Sequence, residues 1–74
     1  MVYPNPSSDF INLQFSKTEN RNIQVFDING RLVSESESDQ TLVSIDARNL
    51  IQGVYTVKVN EKNNSFQINR FVKL

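Results

Sequence analysis

The chain has no cysteine, no histidine and no tryptophan among its 74 residues, and it holds only two glycines and two prolines. Without cysteine it can form neither disulfides nor a thiolate metal site. Without histidine it lacks the usual general base near neutral pH and the commonest metal ligand of proteins. The composition therefore disfavours an enzyme or a transition-metal protein before any motif is considered.

An excess of charge of either sign is also missing, because eight basic residues balance eight acidic ones. A neutral chain gives no electrostatic reason to expect nucleic acid or an anionic membrane as a partner. No segment approaches the roughly 20 apolar residues of a membrane span, and the start of the sequence has neither the basic nor the apolar region of a signal peptide. If the chain acts outside the cytoplasm, we expect it to be a fragment of a larger precursor.

What the sequence does contain is a series of short segments of strand composition, separated by turn residues at intervals of roughly 8–12 residues. The alternation of apolar and polar side chains along Phe10–Phe15 is typical of a strand with one buried face. The pattern predicts one all-β domain over residues 1–74, a small seven-stranded immunoglobulin-like antiparallel β-sandwich whose strand pairing is left open. The segments are Met1–Tyr3, Phe10–Phe15, Asn22–Ile28, Arg31–Glu37, Thr41–Asp46, Val54–Asn60 and Ser65–Lys73.

The dipeptide Asn29-Gly30 lies between two of these segments and predicts a β-hairpin. A two-residue type I′ turn needs positive φ at both central positions, which asparagine and glycine tolerate best. Such a turn would place Phe26 opposite Val33.

The segment before this turn has apolar residues on both faces, since Ile23 and Val25 share one parity while Phe26 and Ile28 share the other. Two explanations remain open: the strand is covered on both sides, or a β-bulge switches the parity.

The candidate catalytic acids are Asp9, Asp27 and Asp46, but no histidine, paired carboxylate or activated nucleophile accompanies them. The run from Asp27 to Gly30 shares only part of the pattern of a calcium loop, and a turn explains it better. We therefore predict structural roles for these aspartates, no cofactor and no catalytic residue.

Three segments resemble the motifs of one family: Val2–Pro6, Val25–Val33 and Leu50–Val59. Each motif alone is weak, whereas three in this order and at this spacing are a strong signal. Over essentially its full length the chain resembles the type A C-terminal sorting domain of the type IX (Por) secretion system. The residues that carry the family motif, or define its fold, are Pro4, Asn5, Pro6, Asn29, Gly30, Gly53 and Tyr55.

This resemblance implies a non-catalytic secretion signal attached to a parent cargo domain upstream. The parent would reach the periplasm in transit, cross the outer membrane through the type IX translocon, and end on the cell surface or in the medium. The resemblance also implies a surface sorting peptidase that removes the domain. Neither nucleic acid nor a membrane span is expected.

We expect the translocon to recognise the C-terminal strand, where a partner can add to or pack on an exposed surface. On this hypothesis Gln67, Asn69, Phe71 and Lys73 form the recognition surface, while the alternate residues Phe66, Ile68 and Val72 hold the strand to the core.

Two other functions compete with secretion. Tyr3 and Tyr55 could stack on a sugar ring, which would make the chain an accessory carbohydrate-binding or adhesion module of a secreted enzyme. A structural or oligomerising domain that pairs through open sheet edges is the third possibility.

Overall fold

The computed structural model describes residues 2–3, as backbone, and residues 9–74, and all regular structure in these ranges is β-strand. The predicted all-β class is confirmed. Pro4, Asn5 and Pro6 lie outside the described residues, so their part in ending the first segment stays a prediction. The strands are β1 (Val2–Tyr3), β2 (Phe10–Gln14), β3 (Arg21–Phe26), β4 (Leu32–Ser38), β5 (Leu42–Asp46), β6 (Gly53–Asn60) and β7 (Phe66–Lys73).

The strands form two antiparallel sheets, a three-stranded sheet in the order β1-β2-β5 and a four-stranded sheet in the order β4-β3-β6-β7. In the larger sheet β3 and β6 are central, because they carry neighbours on both sides. The C-terminal strand β7 pairs with β6 along its whole length, from Gly53 opposite Lys73 to Asn60 opposite Phe66.

Both sheets contribute side chains to one buried cluster, which forms because successive residues of a strand point to opposite faces. The alternation predicted for Phe10–Phe15 is confirmed, since Ile11 and Leu13 are buried and Asn12 is only half-buried. Each fully buried aliphatic or aromatic side chain contributes about 1.5–3 kcal/mol. The buried cluster consists of Ile11, Leu13, Ile23, Val25, Ile45, Ala47, Tyr55, Val57, Val59 and Phe71.

Strand β7 shows the reverse of the predicted orientation. Phe71 is fully buried and Lys73 is 7% exposed, whereas Phe66 and Ile68 are more than half exposed. The cause is the register: Phe71 lies directly opposite Tyr55, and directly opposed residues share a face of the sheet. The expectation that Phe66, Ile68 and Val72 hold the strand to the core is therefore wrong.

The hairpin between β3 and β4 is present, but its turn is not of type I′. Gly30 has a φ of 81°, whereas Asn29 is not among the residues with positive φ. The Gly30 N–H donates to the Asp27 carbonyl at 3.0 Å and the Asp27 N–H to the Arg31 carbonyl at 2.9 Å. This is a longer turn that ends in one left-handed glycine, and it shifts the register between Val25 and Phe26.

As a result of this shift, Phe26 lies opposite Leu32 and not opposite Val33. Of the two explanations for the mixed parity of β3, a register irregularity of the β-bulge kind is present where β3 pairs with β4. Opposite β6 the alternation continues, because Val25 pairs with Val57 and Phe26 with Thr56, so Phe26 is on the outer face.

Candidate recognition site

One end of the molecule brings together the middle and late sequence motifs. The turn 27–30 and the connection 51–53 line the same cavity of about 180 Å³. Gly53 is paired with Lys73, which adds the end of β7 to this region. We call the turn 27–30, the connection 47–53 and the end of β7 the motif end. The motifs are therefore near one another in space although they are separated along the chain.

At the motif end, Asp27 organises the hairpin turn. Its Oδ1 accepts the backbone N–H groups of Asn29 and Arg31, both at 2.9 Å, and its Oδ2 accepts the Arg31 Nε–H at 3.2 Å. The Arg31 backbone bond above all lowers the pKa of Asp27, with smaller contributions from the Asn29 backbone and the Arg31 side chain. The carboxylate is a structural group of the turn, as predicted for the aspartates.

Tyr55 fixes the connection that precedes β6. Its hydroxyl donates to the Ile51 carbonyl at 2.5 Å, and its ring stacks on Phe71 with centroids 5.3 Å apart and planes 14° apart. Gly53 has a φ of 156°, a conformation that side chains with a Cβ rarely adopt. Because Tyr55 is only 6% exposed, it cannot offer its ring to a sugar, and this removes its part in the carbohydrate-binding alternative. The side chain of Tyr3 is outside the described part of the structure.

A second aspartate, the last residue of β5 beside the motif end, is held by a neighbouring arginine. Asp46 accepts from Arg48 Nε at 3.0 Å and from Arg48 Nη2 at 2.8 Å. The Arg48 side chain lowers the pKa of Asp46 to about 2, with help from the Arg48 backbone N–H. The same guanidinium lies 5.2 Å from the centre of the Phe10 ring. The pair is exposed and fixes the start of the connection to β6.

Among the described residues, no three carboxylate, histidine or cysteine side chains are grouped so that they could hold a metal ion. No helix within those residues is long and apolar enough to cross a membrane.

The four residues predicted for translocon recognition are not all on the surface. Gln67 is exposed and Asn69 is half-buried, but Phe71 and Lys73 point into the molecule. The outer side of β7 is instead formed by the alternate residues, Phe66, Ile68, Arg70 and Val72, all of them exposed.

At the opposite end of the larger sheet, Arg21 is a structural residue that the sequence analysis missed. Its side chain is 4% exposed and its guanidinium lies 4.0 Å from the centre of the Phe15 ring. It donates to the carbonyls of Lys17 and Glu19 at 2.9 and 3.0 Å, which closes the loop between β2 and β3. The signal was present in the sequence, because Arg21 has the same parity as the buried Ile23.

Comparison with known proteins assigns the family. The sequence profile of the secretion system C-terminal sorting domain matches residues 1–73, so the chain belongs to that family. It is a sorting domain of the type IX secretion system, the non-catalytic secretion signal of a cargo protein.

Among solved structures, the chain is similar to PorZ, a surface component of the type IX secretion system of Porphyromonas gingivalis. The two share 27% identity with a TM-score of 0.83, and the match covers 100% of this chain and 11% of that chain. The chain thus spans about a ninth of the length of PorZ. No curated protein sequence gives a significant match.

Proposed function

We propose that the chain is the C-terminal domain of a larger protein that passes through the periplasm and crosses the outer membrane by the type IX translocon. After export the parent stays on the cell surface or is released, and a surface sorting peptidase removes the domain. The observation that carries this proposal is the family match over residues 1–73. The PorZ match, in which a domain of this shape forms 11% of a longer chain, supports the attachment to a larger protein.

The arrangement proposed for the fold is immunoglobulin-like. In the seven-stranded form of such domains the first, second, fourth and fifth strands make one sheet and the third, sixth and seventh make the other, and a tyrosine near the start of the penultimate strand bonds back to the preceding loop. The sheet orders β1-β2-β5 and β4-β3-β6-β7 follow this plan except at β4, which lies at the edge of the sheet that holds β3, β6 and β7. The bond from Tyr55 to the Ile51 carbonyl fits the tyrosine feature.

Recognition is proposed to involve β7. Gln67 and Asn69 are the two predicted residues with accessible surface. The other two, Phe71 and Lys73, would contribute by holding the strand in place.

A fusion assay tests this function. A fluorescent protein with an N-terminal secretory signal is joined to residues 1–74 and produced in a bacterium with a type IX system, and in the same bacterium without its translocon. We expect fluorescence on the surface or in the medium only in the first strain. Removal of the domain would shorten the exported product by at most about 8.5 kDa, the mass of the chain. Retention in the periplasm of a fusion whose sorting domain is folded would contradict the proposal.

A further inference from the structure

The outer face of β6 and β7 is unusually apolar for a surface. Val54 and Val72 are opposite each other and each 40% exposed, while Phe66 and Ile68 are 56% and 55% exposed. Single apolar side chains on a surface are ordinary, but several on one sheet face are typical of a binding surface. Here the pair Val54 and Val72 is separated from Ile68 and Phe66 by Thr56 and Arg70. The β6–β7 outer face is defined here by Val54, Lys58, Phe66, Ile68, Arg70 and Val72.

The charges on this face are all of one sign. Strands β6 and β7 contain Lys58, Arg70 and Lys73 and no acidic residue, and Lys73 points inward. Lys58 Nζ lies 4.8 Å from the centre of the Phe66 ring, so charge and apolar surface are directly adjacent. The chain is neutral as a whole, yet this face is positive.

The acidic residues on the same face of this sheet are at its opposite edge, where Glu35 aligns with Lys58 across Gln24. Glu35 and Glu37 are exposed on β4, which is separated from β6 by β3. Glu35 Oε2 already accepts bonds from Asn22 Nδ2 at 3.2 Å and Gln24 Nε2 at 3.0 Å. A second copy of the chain could offer Glu35 to the β6–β7 outer face. The carboxylate of Glu35 is, however, already hydrogen-bonded within its own sheet, which makes this pairing less favourable.

A groove on this face provides a place for an inserted side chain. It has a volume of about 490 Å³, and its lining includes Phe26, Ile28 and Val54 as apolar surface and Arg70 as a cation. Asp27 also lines it, but both oxygens of its carboxylate already accept hydrogen bonds within the turn, from the backbone of Asn29 and Arg31 and from the Arg31 side chain. An apolar anchor in a pocket, surrounded by complementary charge, is the arrangement that dominates the binding energy of protein interfaces.

We propose that the β6–β7 outer face is the docking surface for a translocon segment that carries an apolar anchor side chain next to carboxylates. The anchor enters the groove, the carboxylates face Lys58 and Arg70, and Phe66 and Ile68 are covered. This inference rests on the proposed function and gives it a surface and a partner chemistry. It also moves the contact from the odd-numbered row of β7 to the even-numbered row.

The test uses the fluorescent fusion with paired substitutions. The double variant Lys58→Glu/Arg70→Glu should reduce the exported fraction at least tenfold, and Lys58→Gln/Arg70→Gln should reduce it less, because repulsion is added only in the first. The matched control Lys17→Glu/Lys62→Glu reverses two exposed lysines outside this face and should export like the unchanged fusion. Circular dichroism of each purified domain must show the same thermal midpoint.

Three outcomes overturn the inference in different ways. Export of Lys58→Glu/Arg70→Glu at the unchanged level, while the unchanged fusion is exported, refutes the docking surface alone. Retention of the unchanged fusion refutes the proposed function and the docking surface with it. If light scattering finds dimers of the purified domain that the double reversal dissociates, the face belongs to self-association and not to the translocon.

Discussion

Replacing Phe71 with alanine should cost about 3–5 kcal/mol of folding free energy, the usual effect of truncating a buried aromatic ring. Phe71 is fully buried and stacked on Tyr55 at 5.3 Å, so the substitution leaves a cavity and an unpartnered ring. At roughly 0.05–0.15 kcal/mol per residue, a chain of 74 residues has a total stability of about 4–11 kcal/mol. The variant should be close to unfolding at room temperature.

Phe66 on the same strand is the matched control. Its side chain is 56% exposed, and its ring contact is with Lys58, whose Nζ lies 4.8 Å from the ring centre. Phe66→Ala should therefore cost no more than about 1 kcal/mol, the value of an exposed cation–π pair. The same residue type is removed from the same strand in both variants, so the contrast measures orientation alone.

The assay is urea unfolding of the isolated domain followed by far-ultraviolet circular dichroism, with two-state analysis of the midpoint and slope. We expect Phe71→Ala to lower the midpoint severely and Phe66→Ala to leave it almost unchanged. Equal losses, or a larger loss for Phe66→Ala, would show that β7 has the opposite face toward the core, and would refute the register from which we argue.

Three further predictions concern the motif end and the residues that fix it. Tyr55→Phe should cost about 1 kcal/mol, because it leaves the Ile51 carbonyl without its donor; an unchanged urea midpoint would contradict this. Gly30→Ala should cost roughly 1–2 kcal/mol, because its φ of 81° is left-handed; a thermal midpoint equal to that of the unchanged chain would exclude the strain. The pKa of Asp27 and Asp46 is lowered by folding, to about 2 for Asp46, from 3.8. The stability that the two carboxylates contribute is thus complete above pH 4 and is lost as the pH falls toward 2. The unchanged domain should therefore lose more stability between pH 4 and 2 than the double variant Asp27→Asn/Asp46→Asn.

The buried face of a strand was predictable from the sequence where most of the apolar residues of that strand share one parity. In β2 the residues Ile11 and Leu13 share one parity, and in β6 Tyr55, Val57 and Val59 do. The other parity of each strand has fewer apolar residues. Burial of one face of each strand then follows from side-chain period alone.

Strand β7 shows where this reasoning fails. Its even row contains Phe66, Ile68 and Val72 and its odd row only Phe71, so counting apolar residues selects the wrong face. The orientation is decided by pairing, which places Phe71 beside Tyr55. Strand pairing is a property of the whole chain and is not contained in the local pattern.

The prediction of a type I′ turn was wrong for a different reason, because it used Asn29-Gly30 without Asp27. The Asp27 carboxylate binds two backbone N–H groups and selects a longer turn in which only Gly30 is left-handed. Aspartate two residues before such a dipeptide is itself a turn signal. It was available in the sequence and would have corrected the register of the hairpin.

The division of β7 into two rows determines how its function has to be studied. Deleting residues 66–74 removes Phe71 from the core together with the exposed Phe66 and Ile68, so loss of export after truncation cannot distinguish an unfolded domain from an unrecognised one. Substitutions confined to the even-numbered row leave the buried contacts of the strand in place. If recognition depends on the outer row, those substitutions abolish export from a domain that still unfolds at the original urea concentration; if it depends only on the presence of a folded domain, they leave export intact.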